Sequence, residues 1–142
     1  MEAVAEPISF GAIAAPDVEE FQKQKEKILS AVIDRLECNE AFRDLIADPE
    51  RARLARECAK IFVENLQATM KYQLPAALIE YLDWLRNFLT HRHFPTSFIP
   101  NLLAATRTAT HAFMEQYNSD AIAEALRQLQ QREHSLSMEA EA

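Results

Sequence analysis

Any chemistry in this chain would have to come from four histidines, two cysteines and the carboxylates. His91 and His93 stand two residues apart, a spacing that resembles a metal pair. On a helix, however, such side chains point about 200° apart. They converge only if the helix breaks there, which Pro95 permits, and a third ligand must then come from elsewhere. Imidazoles in the last turn of a helix also suit the negative end of its dipole. His91 borders an aromatic ridge, which makes it the candidate for haem ligation in a globin-like stack. His111 shares a stripe with Arg107 and Glu115 and reads as part of a solvated face. Cys58 lies in the middle of an apolar face, where a thiol is inert filler, and Cys38 closes a helix with only Arg35 as a nearby base. Paired-carboxylate chemistry needs two acids aimed inward. Nearly every acid here falls on the polar arc of its helix. The Glu-x-x-His pairs of di-iron proteins are missing as well. No catalytic residue, cofactor or enzymatic activity is expected.

Glycine sharpens that exclusion. The chain has one, Gly11, and none after it. Phosphate-cradling loops, dinucleotide fingerprints and the strained turn that presents a nucleophilic serine all require glycine at set positions. Composition and charge narrow the remaining classes. The 142 residues are 49% hydrophobic and 26% charged, the balance of one globular domain. The net charge of −7 belongs to the ends: residues 1–20 carry five acids and no base, and residues 133–142 three more acids. Setting those eight aside leaves 14 acids against 15 bases. A body so nearly neutral argues against nucleic acid and against an anionic membrane surface. No apolar run approaches the roughly 18–20 residues that span a bilayer. With two cysteines and no secretory signal, a reducing, cytoplasmic setting is expected.

The elements that must position these residues are helices. Residues 1–15 form a flexible arm, with Ile8, Phe10 and Ile13 able to dock on the body. Asp17 with Glu20 has the form of a capping box, opening a helix to about Cys38 with Phe21, Ile28, Leu29, Val32 and Leu36 on one face. Residues 41–47 make a short helical turn. Asp48-Pro49 starts a helix to about residue 72, whose apolar arc holds Leu54, Cys58, Ile61, Phe62, Leu66 and Met70. Pro75 opens the next, to about His93, with Leu78, Leu82, Leu85 and Leu89 as one ridge and Tyr81, Trp84 and Phe88 beside it. Pro95 ends that helix. Ser97 is placed to cap another, running to about Tyr117 with Ile99, Leu102, Leu103, Phe113 and Tyr117 inward. Ser119 caps a last helix from 120 to about 133. The chain is therefore all-α: a helical domain over 16–134, built as an antiparallel bundle or globin-like stack of about five helices, then a disordered acidic tail over 135–142.

Two features of these helices point to function. Polar residues stand on apolar arcs: Asn65 and Thr69 on the helix from 49, and Thr106 and Thr110 on the helix from 97. Buried polar groups must find partners. Either the threonines bond back to their own helix and Asn65 to a neighbour, or the four line a pocket for a small molecule. Secondly, Tyr81, Trp84 and Phe88 widen their helix's apolar arc to about 160°. A helix so broad is either central or covered by a partner, and a homodimer seam along these three residues is the partner reading.

The stretch Leu78 to Leu103, LIEYLDWLRNFLTHRHFPTSFIPNLL, resembles a pattern in helical regulatory domains of bacteria. These are the segments accompanying cobalamin-binding domains in light- and stress-sensing proteins, and the non-haem globin-like sensor domains of stress-response regulators. Tyr81 and Trp84 within an aliphatic ridge, then Arg92, Pro95 and a new helix with Leu102, carry the resemblance. It covers about a fifth of the chain. The cobalamin domain itself, with its glycine-containing histidine motif, has no counterpart here. What the resemblance implies is a non-catalytic sensory or interaction domain, acting through a protein partner, with a small-molecule or tetrapyrrole sensor as the alternative.

Overall fold

The computed structural model describes residues 13–141, and among them every regular element is a helix. In chain order these are α1 (Ala15–Glu37), a 3-10 turn (Glu40–Phe42), α2 (Arg43–Ala47), α3 (Pro49–Tyr72), α4 (Pro75–Thr90), α5 (Phe98–Phe113) and α6 (Gln116–Glu141). Proline marks the starts. Pro16, Pro49 and Pro75 occupy the first or second position of α1, α3 and α4, where a missing amide breaks no hydrogen bond. Pro100 is the third residue of α5, still within its first turn. Asp48 caps α3 by accepting the Glu50 amide at 3.1 Å.

α5 packs against both α1 and α6, α1 also packs on α3, and α3 carries α2 and α4. One continuous core results, with Phe21 and Ile28 from α1, Phe62 and Leu66 from α3, Leu82 from α4 and Leu102 from α5 all fully enclosed. Ile13 is buried against this core; Ile8 and Phe10, expected to dock alongside it, lie outside the described residues. On α3 the buried face is centred on Ala52, Ala55, Ala59 and Val63 as well as Phe62. That turns Ile61, expected inward, out to 42% exposure. α1 packs on α3, and small buried side chains such as these alanines allow helices to pack closely.

The helix ends depart furthest from the sequence expectation. Asp17 does bond back to the start of α1, accepting the Ala14 amide at 2.8 Å. Its supposed partner Glu20 is used elsewhere: one carboxylate oxygen accepts the Glu115 amide at 2.6 Å and the other the Asn118 side-chain amide at 3.1 Å. A residue of α1 thus caps α6 from some 95 positions away in the chain. α5 accordingly stops at Phe113 and α6 begins at Gln116, ahead of the predicted break at 117–120. Met114 takes the inward place and Phe113, expected inside, is 39% exposed. Ser119 caps nothing. It sits inside the first turn of α6, donating to the Gln116 carbonyl at 3.1 Å and meeting the His111 ring nitrogen at 3.1 Å. Ser97 occupies the cap position of α5 without a capping side-chain bond. At the other end, α6 stays helical to Glu141, across residues predicted to be a disordered tail. No glycine or proline interrupts that stretch, and Met, Glu and Ala are strong helix formers. Glu20→Ala should lower the unfolding free energy by about 1–2 kcal/mol, as the loss of a helix cap does, which urea titration followed by circular dichroism would register.

Two turns show what the shortage of glycine costs. Gln73 and His93 both have positive φ, 53° and 61°. Each lies where a helix is closed by a left-handed residue: Leu74 donates back to Thr69 and Phe94 back to Leu89. A side chain in that region is disfavoured by about 1–2 kcal/mol. Part of that is offset by the freer unfolded chain of glycine. Gln73→Gly or His93→Gly is therefore expected to raise thermal stability by roughly 0.5–1 kcal/mol, measured by calorimetry.

Candidate functional site

α4 carries two apolar seams displaced from one another by a single residue. Leu78, Leu82, Leu85 and Leu89 recur at intervals of four, three and four, and all are buried. Ala77, Tyr81, Trp84, Phe88 and His91 recur at four, three, four and three, one step round the helix. Such spacing keeps residues on one face of a helix and is the pattern by which helices pack in pairs. The first seam faces the core. The second is filled by aromatic rings at the surface.

Those rings form a continuous stack. Tyr81 and Trp84 have ring centroids 6.2 Å apart and Trp84 and Phe88 4.9 Å, with interplanar angles of 27° and 25°. The Arg92 guanidinium extends the ladder, lying 3.5 Å from the Phe88 centroid, while its Nη1 donates to the Phe88 carbonyl at 3.2 Å. Tyr81 and Phe88 are half-buried against the core and Trp84 is 57% exposed. Stacking restricts the rings, so little side-chain freedom remains to be lost when a partner covers them. Burial raises the Tyr81 phenol above its ordinary range, with the Cys58 thiol as a second influence. That thiol is itself pushed up to about 11, by burial first and the Glu57 charge second, against the opposing charge of Arg92. It stays protonated at neutral pH, as a filler thiol does.

The opposite flank of α4 holds the most concentrated charge network among the described residues. Arg86 Nε donates to Glu133 Oε2 at 3.0 Å and its Nη2 to Glu133 Oε1. The same Nη2 reaches Asp83 at 3.0 Å, and Arg132 of α6 grips both Asp83 oxygens at 3.1 Å. Glu133 is 2% exposed. Burial by itself would raise the Asp83 carboxyl, but hydrogen bonds from Arg132 and Arg86, with their charges, outweigh it and hold that group below the usual carboxylate range. The Arg86 guanidinium is shifted upward, chiefly by its bond to Glu133. Two ion pairs thereby fasten α4 to α6 and fix the direction in which the aromatic ladder faces.

None of this network was apparent from the sequence, which places Glu133 with the free acids of the tail. Asp83 and Arg86 at i and i+3 were the available signal. Only the approach of α6 makes them a site.

Thr106 donates to the Leu102 carbonyl at 2.8 Å and Thr110 to the Thr106 carbonyl at 2.7 Å, so both fully buried hydroxyls close on their own helix. Asn65 also bonds within its helix, to the Ile61 carbonyl at 3.0 Å, and is partly exposed. Its expected partner on a neighbouring element does not appear. Thr69 is buried, and its carbonyl receives the amides of Gln73 and Leu74. A polar cleft of about 100 Å³ opens instead between the end of α1 and α5, lined by Arg35, Asn39, Asn101 and Thr108 among others. None of Asn65, Thr69, Thr106 and Thr110 lines it.

The Nδ1 of His91 lies 2.7 Å from the Asn87 carbonyl, which can only accept, so that nitrogen carries the proton. His93 has a left-handed backbone, with φ 61°. Among the described residues no group of three or more His, Cys, Asp or Glu side chains is arranged to hold a metal ion, and no helix is long and apolar enough to cross a membrane. No family model, curated protein or solved structure matches the chain.

Proposed function

We propose that this protein is a non-catalytic, cytoplasmic regulatory or scaffolding domain that acts by helix-on-helix docking through the outer seam of α4, and that it works as a homodimer. The observation that carries this reading is Trp84, 57% exposed at the centre of a stacked ladder with Tyr81 and Phe88. An indole left in water forgoes about 2–3 kcal/mol of apolar burial. Tryptophan at the centre of a patch is also the residue type most often dominant in binding. The regulatory character draws on the resemblance of residues 78–103 to bacterial helical sensor domains. An all-α body arranged as a bundle or globin-like stack suits such a role, since it offers rigid helix faces and needs no loop-built site.

Trp84 is the one tryptophan in the chain, so its fluorescence reports on the seam alone. Emission should shift to longer wavelength on dilution, as the indole passes from a covered to a solvated state. An emission maximum constant from the highest attainable concentration down to the nanomolar range, at the position of a solvated indole, contradicts homodimerisation through this face.

A further inference from the structure

The cleft between the end of α1 and α5 is furnished for an anion. Its volume is about 100 Å³, and Arg35 is the one charged side chain among the described residues that line it. Arg35 is exposed and, among the described residues, enters no ion pair or hydrogen bond. Arg51, Arg53 and Arg56 of α3, by contrast, each hold a carboxylate. A guanidinium presents its N–H groups in a rigid fork that grips a carboxylate at two points. At Arg35 that fork is unused.

The polar side chains beside it are fixed in place yet keep bonding capacity. Asn39 Oδ1 accepts the Ala41 amide at 2.9 Å, and Asn39 Nδ2 donates to Asn101 Oδ1 at 3.3 Å. Asn101 Nδ2 donates in turn to the Ser97 carbonyl at 2.8 Å. A side-chain amide has two N–H donors, so each asparagine has used one and retains one. Thr108 adds a hydroxyl. Thr106 and Thr110 close theirs on α5 itself, whereas the exposed Thr108 hydroxyl has no hydrogen-bond partner among the described residues.

Size and the remaining lining select among anions. An enclosed apolar cavity of about 150 Å³ takes benzene, so a cleft of about 100 Å³ suits a somewhat smaller molecule. Leu36, Ala104 and Ala105 give it an apolar wall. Inorganic phosphate has only oxygens to set against that wall, while a short carboxylate has carbon.

We propose that this cleft binds a short-chain organic carboxylate bearing a hydroxyl group. Arg35 takes the carboxylate, Thr108 with the spare asparagine N–H groups takes the hydroxyl, and the carbon chain rests on Leu36, Ala104 and Ala105. None of these residues belongs to α4, so the site stands whether or not the aromatic seam pairs two copies.

Titration of the full-length chain with lactate, at pH 7 and constant ionic strength, tests the site. The side-chain amide resonances of Asn39 and Asn101 should move saturably, with half-saturation at about 1–10 mM, as befits so small a ligand. Arg35→Gln should raise that concentration at least about 10-fold, the loss expected for hydrogen bonds to a charged group. Thr108→Val should weaken lactate about 3-fold, as a neutral hydrogen bond does, and leave propionate, which lacks the hydroxyl, unchanged. Both positions are exposed, so each variant should keep the parent's helix content. Half-saturation unaltered in Arg35→Gln, or no saturable movement of the two asparagines up to about 100 mM lactate, overturns the site. Phosphate binding as tightly as lactate overturns the carboxylate class, and equal losses of lactate and propionate in Thr108→Val overturn the hydroxyl assignment.

Discussion

Arg86→Ala should destabilise the protein by about 2–4 kcal/mol, the largest effect expected of any substitution at a charged residue in this chain. The magnitude follows from what is left behind. Glu133, 2% exposed, loses both hydrogen bonds from Arg86 and keeps only the more distant Arg132 guanidinium, 3.7 Å away, as a counter-charge. Removing one member of a fully buried pair costs about 3–5 kcal/mol. Arg86 retains roughly a third of its side-chain exposure, so water can reach the cavity and the lower range applies. Glu133→Gln, which keeps the shape and removes the charge, should cost less than half as much. Pairing Arg86→Ala with Glu133→Leu should recover most of the loss, because the penalty lies in a buried charge that has lost its hydrogen bonds. Chemical denaturation of the four proteins at pH 7 gives all three comparisons.

The network also fixes a sign for the pH dependence. Asp83 has its folded pKa depressed by Arg132 and Arg86 against the effect of burial. Its contribution is therefore present above the unfolded carboxylate pKa of about 3.9. It is lost as pH falls through the lower folded value. Stability of the parent chain should fall more steeply than that of Asp83→Asn below about pH 4. Equal slopes there would remove Asp83 from the account.

What the sequence made legible was whatever depends on near neighbours. Helical class, the proline-marked starts such as Asp48-Pro49 and the leucine ridge of α4 all follow from local pattern, and the observed elements agree with them. Boundaries failed where a distant residue intervenes. Glu20 of α1 sets the start of α6, and no reading of residues 113–120 alone could supply it. The same holds for Glu133, which looks like surface acid until Arg86 is brought against it. Ile61 was misplaced for a different reason: hydrophobicity ranks it above alanine, but close helix packing prefers the smaller residue. At the candidate site, the spacing of Tyr81, Trp84 and Phe88 was visible from the start. Their stacking, and the capping of that stack by Arg92, arise only in the folded chain.

The second large effect expected is on assembly rather than folding. Trp84→Ala removes the most exposed ring from the centre of the ladder and should weaken self-association by at least about 30-fold, equivalent to about 2 kcal/mol or more at a hot-spot residue. Folding should be much less affected, because the indole is 57% exposed in the single chain and, unlike Tyr81 and Phe88, does not pack against the core. Tyr81→Ala and Phe88→Ala should each weaken the dimer as well, but they should also lower stability, since both rings pack on the core. That separation marks Trp84 as the residue on which assembly and stability can be distinguished.

Sedimentation equilibrium of the parent chain and Trp84→Ala, over the same concentration series, measures the central claim directly. The parent should rise from its 16.2 kDa chain mass toward twice that value as concentration increases. Trp84→Ala, with unchanged helix content by circular dichroism, should remain at the single-chain mass throughout. A parent monomeric at every concentration, or a Trp84→Ala protein that dimerises as tightly as the parent, would contradict a homodimer built on this face of α4.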